Sequence, residues 1–319
     1  MSEIYTKQVT KIQSLPSEFL TVVQQAATAV YPWIGKGDKN GADGAATKVM
    51  RDAMNRIHMD ARIVIGEGEM DEAPMLFIGE QLGTGNGPAV DIAVDPVEGT
   101  TNVSKGLDNS LVVLAVAEQG TLLHAPDMYM EKIAVGPKAK GCIDLNLSLT
   151  ENMKAVAKAL GKDVSELTVM MQDRPRHDHL LKQVLEVGAK VRMFSDVDIT
   201  GAIATAIDEL DVDLLVGTGG APEGVISAVA LKCLGGDFQG RLAPINEEER
   251  ARCLKMGITN LEAVLTMDDI VRTDDCFFIA TGITDGSLLK GVRKKADGKI
   301  ATHSFIATST HSQFVEANH

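Results

Sequence analysis

The segment Val94-Asp95-Pro96-Val97-Glu98-Gly99-Thr100 decides how this 319-residue sequence folds. Just upstream, residues 90–95 alternate branched apolar side chains with small or acidic ones, and this period of two predicts a β-strand. Pro96 has no backbone N–H to donate, so the strand is expected to stop directly after Asp95. The sequence therefore predicts two carboxylates, Asp95 and Glu98, and the hydroxyl of Thr100 around the end of a strand.

Outward from this segment, strands and helices alternate along the middle of the chain. Such alternation favours a parallel sheet covered by helices, that is, an α/β protein. The predicted strands are 62–65, 90–95, 111–116, 167–172, 190–195, 212–217, 275–280 and 300–307, and the predicted helices are 17–33, one ending near His58, 178–187, 199–209, 224–234 and 260–272. No linker clearly divides the sequence, so we expect a single unit, residues 1–319, with two layered halves that meet at about 145–165.

Charge and composition narrow the classes of partner. The chain is 45% hydrophobic and has a formal net charge of -13. An acidic protein repels nucleic-acid backbones, which argues against a nucleic-acid partner. It repels phosphorylated substrates as well, so a phosphate site would need bound metal ions or local arginine and lysine side chains.

Cysteine spacing and hydropathy indicate where the protein works. The four cysteines are far apart and match no zinc-binding spacing, so free thiols in a reducing compartment are expected. The N-terminal residues do not resemble a signal peptide, and no uncharged run approaches the roughly 20 residues of a membrane span. We therefore predict a cytoplasmic protein without a membrane partner.

Acidic side chains recur in loops that follow predicted strands or open predicted helices. Loops at strand carboxyl ends converge in α/β proteins, and carboxylates gathered there repel one another unless a cation lies between them. Hard oxygen ligands without nearby His or Cys suit Mg²⁺ or Mn²⁺. Spacing alone leaves open the alternative that these are solvent-exposed carboxylates that never meet. The residues are Asp38, Asp43, Glu67, Glu69, Asp95, Glu98 and Glu223.

A wider set of motifs resembles the class II (GlpX-type) fructose-1,6-bisphosphatases, a family of the lithium-sensitive, metal-dependent phosphatases. The first is Asp95-Pro96-Val97-Glu98-Gly99-Thr100, which is similar to the superfamily signature. The others are Gly37-Asp38-Lys39-Asn40, Val64-Ile65-Gly66-Glu67-Gly68-Glu69, Glu72-Ala73-Pro74-Met75-Leu76, Ala125-Pro126-Asp127-Met128-Tyr129-Met130 and Gly219-Gly220-Ala221-Pro222-Glu223-Gly224-Val225. The resemblance covers about residues 31–311. It implies a layered α/β/α/β/α sugar-phosphatase fold, Mn²⁺ or Mg²⁺ as cofactor, and hydrolysis of the 1-phosphate of fructose 1,6-bisphosphate in gluconeogenesis.

The resemblance also implies a division of labour at the reacting phosphate. Asp43 and Glu67 would ligate one metal ion, and Asp95, Glu98 and Glu223 would ligate a second. Two ions can clamp the attacking and leaving oxygens of an in-line displacement. Thr100 would hold or help to deprotonate the attacking water. A threonine hydroxyl is a poor base on its own, so a carboxylate should assist it, and Glu69 and Asp38 are the candidates.

Other residues are implied to hold the substrate. They are Lys39, Glu98, Gly99, Thr100, Tyr129, Arg174, Pro175, Arg176, Asp196, Asp198 and Gly220. Arg174 and Arg176 suit the second phosphate because a guanidinium can bind phosphate through two donors. Relatives commonly carry Asp-Gly-Asp at 196–198, whereas this chain has Val197 between the aspartates. Valine takes a positive φ angle only with difficulty, which puts the fit of the sugar in question.

Three functions are compatible with this reading. The first is fructose 1,6-bisphosphate hydrolysis, extended in some relatives to sedoheptulose 1,7-bisphosphate. The second is an inositol-phosphate-type monophosphatase, although Arg174 and Arg176 would then lack a purpose. The third is a sugar-phosphate-binding regulator without catalysis, which should have lost a metal ligand or Thr100. The resemblance further implies a homo-oligomer.

Overall fold

The computed structural model describes residues 11–66 and 76–319. Its α-helices are α1 (Pro16–Val30), α2 (Lys39–Met54), α3 (Thr100–Lys105), α4 (Leu149–Leu160), α5 (Asp178–Glu186), α6 (Asp198–Ala204), α7 (Ala221–Leu234), α8 (Glu247–Lys255) and α9 (Met267–Ile270). Its strands are β1 (Asp60–Ile65), β2 (Gln81–Leu82), β3 (Ala89–Glu98), β4 (Leu111–Glu118), β5 (Tyr129–Val135), β6 (Thr168–Gln172), β7 (Lys190–Phe194), β8 (Leu214–Gly220), β9 (Asp237–Leu242), β10 (Cys276–Gly282), β11 (Arg293–Lys294), β12 (Ile300–Thr308) and β13 (Ser312–Asn318). Within these ranges, no helix combines the length and apolar character needed to cross a membrane.

The strands form two sheets. The first has the order β11-β12-β10-β4-β3-β1-β2, with β13 added beside β12. In it β1 and β3 are parallel, and the other pairs are antiparallel. The second has the order β7-β6-β8-β5-β9, in which β6 is parallel to β7 and β8, and β5 is antiparallel to β8 and β9.

Three apolar cores hold five layers together, and the central core includes the middle layer of helices. Helices α1 and α2 cover one face of the first sheet, where Phe19 meets Phe277 edge to face with ring centroids 5.5 Å apart. The other face of that sheet packs through Phe278 against α7, whose Val229 lies in the core between the two sheets. Helices α4 and α5 cover the outer face of the second sheet, which contributes Leu214. The predicted layered α/β/α/β/α arrangement is confirmed.

Strand β3 differs from its prediction in a way that shapes the site. It runs on through Pro96 to Glu98 instead of stopping at Asp95. Asp95 pairs with Val113 and Glu98 with Leu111, so three steps along β3 match two along β4, which is a β-bulge. Regular alternation would put residues three apart on opposite faces. Because the bulge inserts one extra residue between them, Asp95 and Glu98 project to the same side of the sheet.

Several other predictions need correction. The strands predicted at 167–172, 190–195 and 212–217 form parallel pairs as expected, as β6, β7 and β8, but the sheet that contains them is mixed. The antiparallel β5 and β9 were not predicted. The helix predicted at 260–272 is limited to α9, because Thr266 caps it and Val271 is already extended.

The two sheets draw on different parts of the chain. The first uses β1–β4 and β10–β13, and the second uses β5–β9. Residues 145–165, where we expected the halves to meet, contain α4, which packs on the outer face of the second sheet. The organisation as a single unit stays a prediction.

Candidate active site

Three carboxylates meet where the first sheet approaches α7. Asp95 and Glu98 come from the bulged end of β3, and Glu223 comes from the first turn of α7. One carboxylate oxygen of each lies within 4.8 Å of the others. We call these three residues the acidic cluster. Asp43, in the second turn of α2, lies close enough to Asp95 for the two charges to interact.

The electrostatics of the cluster favour a cation. Burial raises the pKa of Asp95 and, together with the charges of Asp95 and Glu223, holds the pKa of Glu98 well above its ordinary value. Burial, followed by the charge of Asp198, raises the pKa of Glu223 to about 7. Burial and then Asp95 raise the pKa of Asp43 to about 6. Ionised carboxylates this crowded repel one another, and a bound divalent cation would remove the repulsion.

Two unpartnered oxygens support the same conclusion. Among the described residues, the buried Asp43 Oδ1 and Glu223 Oε2 have no hydrogen-bond partner. A buried carboxylate oxygen without a donor is costly unless it binds a cation. The described lining of the surrounding cavity offers carboxylate oxygens and contains no His or Cys. The residues therefore fit a hard divalent cation such as Mg²⁺ or Mn²⁺ better than zinc.

The turn after β3 places Thr100 beside these acids. Gly99 has φ +83°, and a Cβ there would lie 3.1 Å from both Ser110 Oγ and Val197 Cγ2, so the position requires glycine. Helix α3 then begins at Thr100. The Thr100 hydroxyl donates to the Val97 carbonyl oxygen (2.9 Å) and lies close enough to Asp43 to lower the pKa of that carboxyl. With its hydrogen engaged by Val97, the hydroxyl oxygen keeps its capacity to accept a hydrogen bond.

We predicted that Asp38 would assist Thr100, but Asp38 lies at the start of α2, away from Thr100. Asp38 is exposed and caps the helix, its Oδ1 accepting from the Gly41 amide at 2.9 Å. It does not line the cavity, so the structure does not bring Asp38 to Thr100. Lys39 does line the cavity, and its Nζ donates to Thr101 Oγ1 at 2.7 Å.

Two arginines from the turn after β6 line the same cavity as the acidic cluster. Arg174 Nη2 donates to Asp196 Oδ1 at 2.8 Å. Arg176 donates to Gln172 Oε1 (2.7 Å) and to the Thr218 carbonyl (2.9 Å), and its guanidinium lies 4.9 Å from the ring centroid of Tyr129. These contacts hold both guanidinium groups in place and leave their other N–H donors available for a ligand.

The segment Asp196-Val197-Asp198 adopts the conformation that valine disfavours. Val197 has φ +78° and ψ +65°, and its side chain is buried against Gly99. Asp196 is tied to Arg174 on one side of it. Asp198 accepts from Lys132 Nζ at 2.5 Å on the other side. Ion pairs on both flanks therefore fix a strained turn.

One cavity of about 560 Å³ collects most of the predicted residues. It is lined by Lys39, Asp43, Asp95, Glu98, Gly99, Thr100, Tyr129, Arg174, Arg176, Asp196, Asp198, Gly220 and Glu223. Pro175 is not in this lining and opens the short 3-10 turn Pro175–His177 instead. Glu67 and Glu69 lie outside the described residues.

The sequence reasoning missed several residues of this region. Asn40, Thr101 and Gln172 also line the cavity, and each is a direct neighbour, or lies within two residues, of a predicted site residue. Lys132 lies beneath the cavity on β5. Its sequence context, between Glu131 and Ile133 in a strand that we did not predict, gave no signal.

A cluster of hard oxygen ligands facing arginine side chains across one cavity defines a metal-dependent phosphatase. The family described as "Bacterial fructose-1,6-bisphosphatase, glpX-encoded" matches residues 13–319, and the chain belongs to that family.

Curated relatives carry the same family name. "Fructose-1,6-bisphosphatase class 2" from Haemophilus influenzae is 49% identical over 298 residues, which are 89% of this chain and 89% of that protein. "Fructose-1,6-bisphosphatase 1 class 2" from Escherichia coli K12 is 50% identical over 303 residues, 91% of this chain and 89% of that protein.

Two solved structures share a more distant similarity. The extragenic suppressor protein suhB from Bartonella henselae is 14% identical, with a TM-score of 0.35 over 60% of this chain and 73% of that chain. An extragenic suppressor from Pyrococcus furiosus is 13% identical, with a TM-score of 0.33 over 62% of this chain and 72% of that chain.

Proposed function

We propose that this enzyme hydrolyses the 1-phosphate of fructose 1,6-bisphosphate to give fructose 6-phosphate and inorganic phosphate. The observation that carries the proposal is the pairing, in one cavity, of the acidic cluster with Arg174 and Arg176. A sugar bisphosphate has two phosphates, one for the acidic cluster with its cation and one for the two arginines. Family membership and two relatives named as fructose-1,6-bisphosphatases support the same substrate.

The acidic cluster would hold one divalent cation, and Asp43 with Glu67 would hold a second. When bound, Mn²⁺ or Mg²⁺ neutralises charge on the phosphoryl oxygens and lowers the pKa of a coordinated water. The protein contributes rigidity, because Asp95 Oδ1 accepts from the Val97 amide (2.9 Å) and the β-bulge fixes the direction of Glu98. The raised pKa values of these acids mean that a cation also sets their ionised state.

Thr100 would orient the attacking water. With its hydrogen donated to the Val97 carbonyl, the hydroxyl oxygen can accept a hydrogen bond from water. Asp43 is the described carboxylate within reach of Thr100, and we assign it the assisting role that was first given to Glu69 or Asp38. Asp43 also lies close to Asp95, so its carboxylate is near both Thr100 and the cation site and can accept a hydrogen bond from the attacking water.

The second phosphate would bind Arg174 and Arg176, and the sugar hydroxyls would donate to Asp196 and Asp198. Both arginines are already oriented by protein acceptors, so little side-chain entropy is lost on binding. Sedoheptulose 1,7-bisphosphate presents the same two phosphates on a longer sugar and is the natural second substrate to test. We further propose that the enzyme acts in gluconeogenesis in the cytoplasm as a homo-oligomer.

The test is phosphate release by the purified protein with Mn²⁺ or Mg²⁺. Fructose 1,6-bisphosphate should be hydrolysed, Glu98→Gln should lower kcat by at least a hundredfold, and Arg176→Gln should chiefly raise KM. Glu247→Gln, which changes a side chain that is 94% exposed, serves as the control. Turnover of inositol 1-phosphate without turnover of either bisphosphate would identify a monophosphatase. Binding of fructose 1,6-bisphosphate without turnover would identify a regulator.

A further inference from the structure

Among the described residues, a lysine is buried beneath the site without being exposed to the substrate cavity. Lys132 is in the middle of β5 and is only 3% exposed. Its Nζ lies 2.5 Å from Asp198 Oδ2, and it is absent from the lining of the 560 Å³ cavity. A buried ammonium group is costly unless it is paired, so a lysine at this position needs a reason.

Glycines around the loop that carries Glu223 make room for this side chain. A Cβ at Gly219 would lie 3.2 Å from Lys132 Nζ, and one at Gly224 would lie 3.4 Å from Lys132 Cε. Lys132 also pairs across the sheet with Gly217 and Gly240. Gly219 therefore leaves room for both members of the pair, since a Cβ there would also lie 2.4 Å from Asp198 Oδ2, whereas the nearest atom at Gly224 would be Met130 Sδ at 2.8 Å.

Lys132 touches two functional segments at once. It is the ion-pair partner of Asp198, which we assign to a sugar hydroxyl. It also packs beside the loop that carries Glu223, through the approach of its Nζ to Gly219 and of its Cε to Gly224. A cavity of about 10 Å³, close to the size of one water molecule, adjoins Lys132 and Asp198 and leaves room to hydrate the remaining ammonium protons.

Asp198 needs a restraint because of the residue before it. Val197 is left-handed, a conformation that a β-branched residue adopts only when its surroundings impose it. The Lys132–Asp198 pair fixes one flank of Val197, and the Arg174–Asp196 pair fixes the other. The Arg174 pair is partly exposed, whereas Lys132 is buried, so Lys132 supplies the firmer restraint.

We propose that Lys132 is a positioning residue, which holds Asp198 in the sugar-binding orientation and links the sugar-binding turn to the loop of the metal ligand Glu223. The proposal rests on the proposed function for its substrate. Lys132 touches neither substrate nor metal in this role and acts through Asp198. Substrate affinity should therefore depend on Lys132 more than the chemical step does.

The kinetic test compares Lys132→Met, Asp198→Asn and the double variant at saturating Mn²⁺. Lys132→Met should raise KM for fructose 1,6-bisphosphate at least tenfold while changing kcat less than threefold. Asp198→Asn should raise KM similarly, and the double variant should be no worse than the poorer single variant, because the two residues act as a unit. Lys138→Met removes an exposed lysine from a comparable pair with Asp208 and should leave KM unchanged.

A second readout keeps the proposal testable if the substrate assignment fails. Urea unfolding of the metal-free proteins should show that Lys132→Met is markedly less stable than the wild type and that adding Asp198→Asn recovers part of the loss, because the unpaired carboxylate is then gone. Additive losses in stability would overturn the coupling. A KM unchanged by Lys132→Met, or kcat and KM altered equally, would overturn the positioning role. Absence of wild-type turnover would instead refute the proposed function and leave the stability result standing.

Discussion

Replacing Glu223 by Gln should stabilise the metal-free enzyme at alkaline pH while removing its response to metal. Burial raises the pKa of Glu223 from 4.5 to about 7. In the folded state the proton is therefore held more tightly than in the unfolded chain, and the associated stability is present below pH 4.5 and lost as the pH rises through about 7. A shift of about 2.5 units at 1.36 kcal/mol per unit gives a loss of about 3 kcal/mol.

Gln cannot ionise, so the variant should escape this loss. In EDTA at pH 8, Glu223→Gln should exceed the wild type in free energy of unfolding by up to about 3 kcal/mol, and the two should converge near pH 4.5. With Mn²⁺ at a thousand times its dissociation constant the order should reverse, since binding then adds about 4.1 kcal/mol to the wild type, which exceeds its loss of about 3 kcal/mol.

Urea unfolding followed by circular dichroism between pH 4.5 and 8.5 measures these differences. Glu247→Gln is the matched control, because its side chain is 94% exposed and should show no pH-dependent gain. The reasoning is refuted if Glu223→Gln is equally or less stable than the wild type at pH 8 in EDTA. A constant offset at all pH values would likewise show that ionisation of Glu223 is not the cause.

Three further predictions concern the turn after β3, the phosphate anchor and a distant helix. Gly99→Ala should cost about 1–2 kcal/mol for the left-handed backbone plus the contact with Ser110 and Val197, so urea unfolding should show a larger loss than in Gly141→Ala, where φ is +79° but nothing lies within 4 Å. Equal losses of unfolding free energy in the two variants would show that the contacts with Ser110 and Val197 add no cost. Arg174→Gln should raise KM for fructose 1,6-bisphosphate about tenfold to a hundredfold with little change in kcat, and an unaltered KM would remove Arg174 from the substrate site. Ser148→Ala should lower stability by about 1 kcal/mol through loss of the α4 capping box, with kcat and KM unaffected, and a change in kcat would contradict a purely local cap.

The sequence predicted the site well where function depends on local order in the chain. Asp95, Glu98 and Thr100 lie within six residues of one another, so the end of one strand and the start of the next helix bring them to one region, although the bulge that turns Asp95 and Glu98 to the same side was not predicted. The general rule that loops gather at strand ends in α/β proteins made the convergence of α2, β3 and α7 possible, but spacing alone left it open and the family resemblance decided it. Position 197 stood out because relatives commonly carry glycine there and valine disfavours positive φ, and the structure has a positive φ at this residue.

Features that depend on pairing between distant residues were not predictable. The bulge in β3 is visible only in its register against β4, because nothing in the composition of Pro96 and Val97 distinguishes a strand end from an extra residue. Strands β5 and β9 depend on one another and on β8 for their hydrogen bonds. Lys132 could not be assigned, since its partner Asp198 is 66 residues away and the glycines that accommodate it are further still.

The division of the cavity between two sheets bears on how this enzyme can evolve and be inhibited. The acids of β3 come from the first sheet, whereas Arg174, Arg176 and Asp198 come from the second sheet and its loops. Under the proposed function, substitutions confined to residues 172–198 should change the sugar preference while leaving the carboxylates of β3 unchanged. By the same logic, a chelating inhibitor directed at β3 should act on many phosphatases of this kind. A compound that reaches the strained turn at Val197 would be selective, because that contour depends on a single side chain.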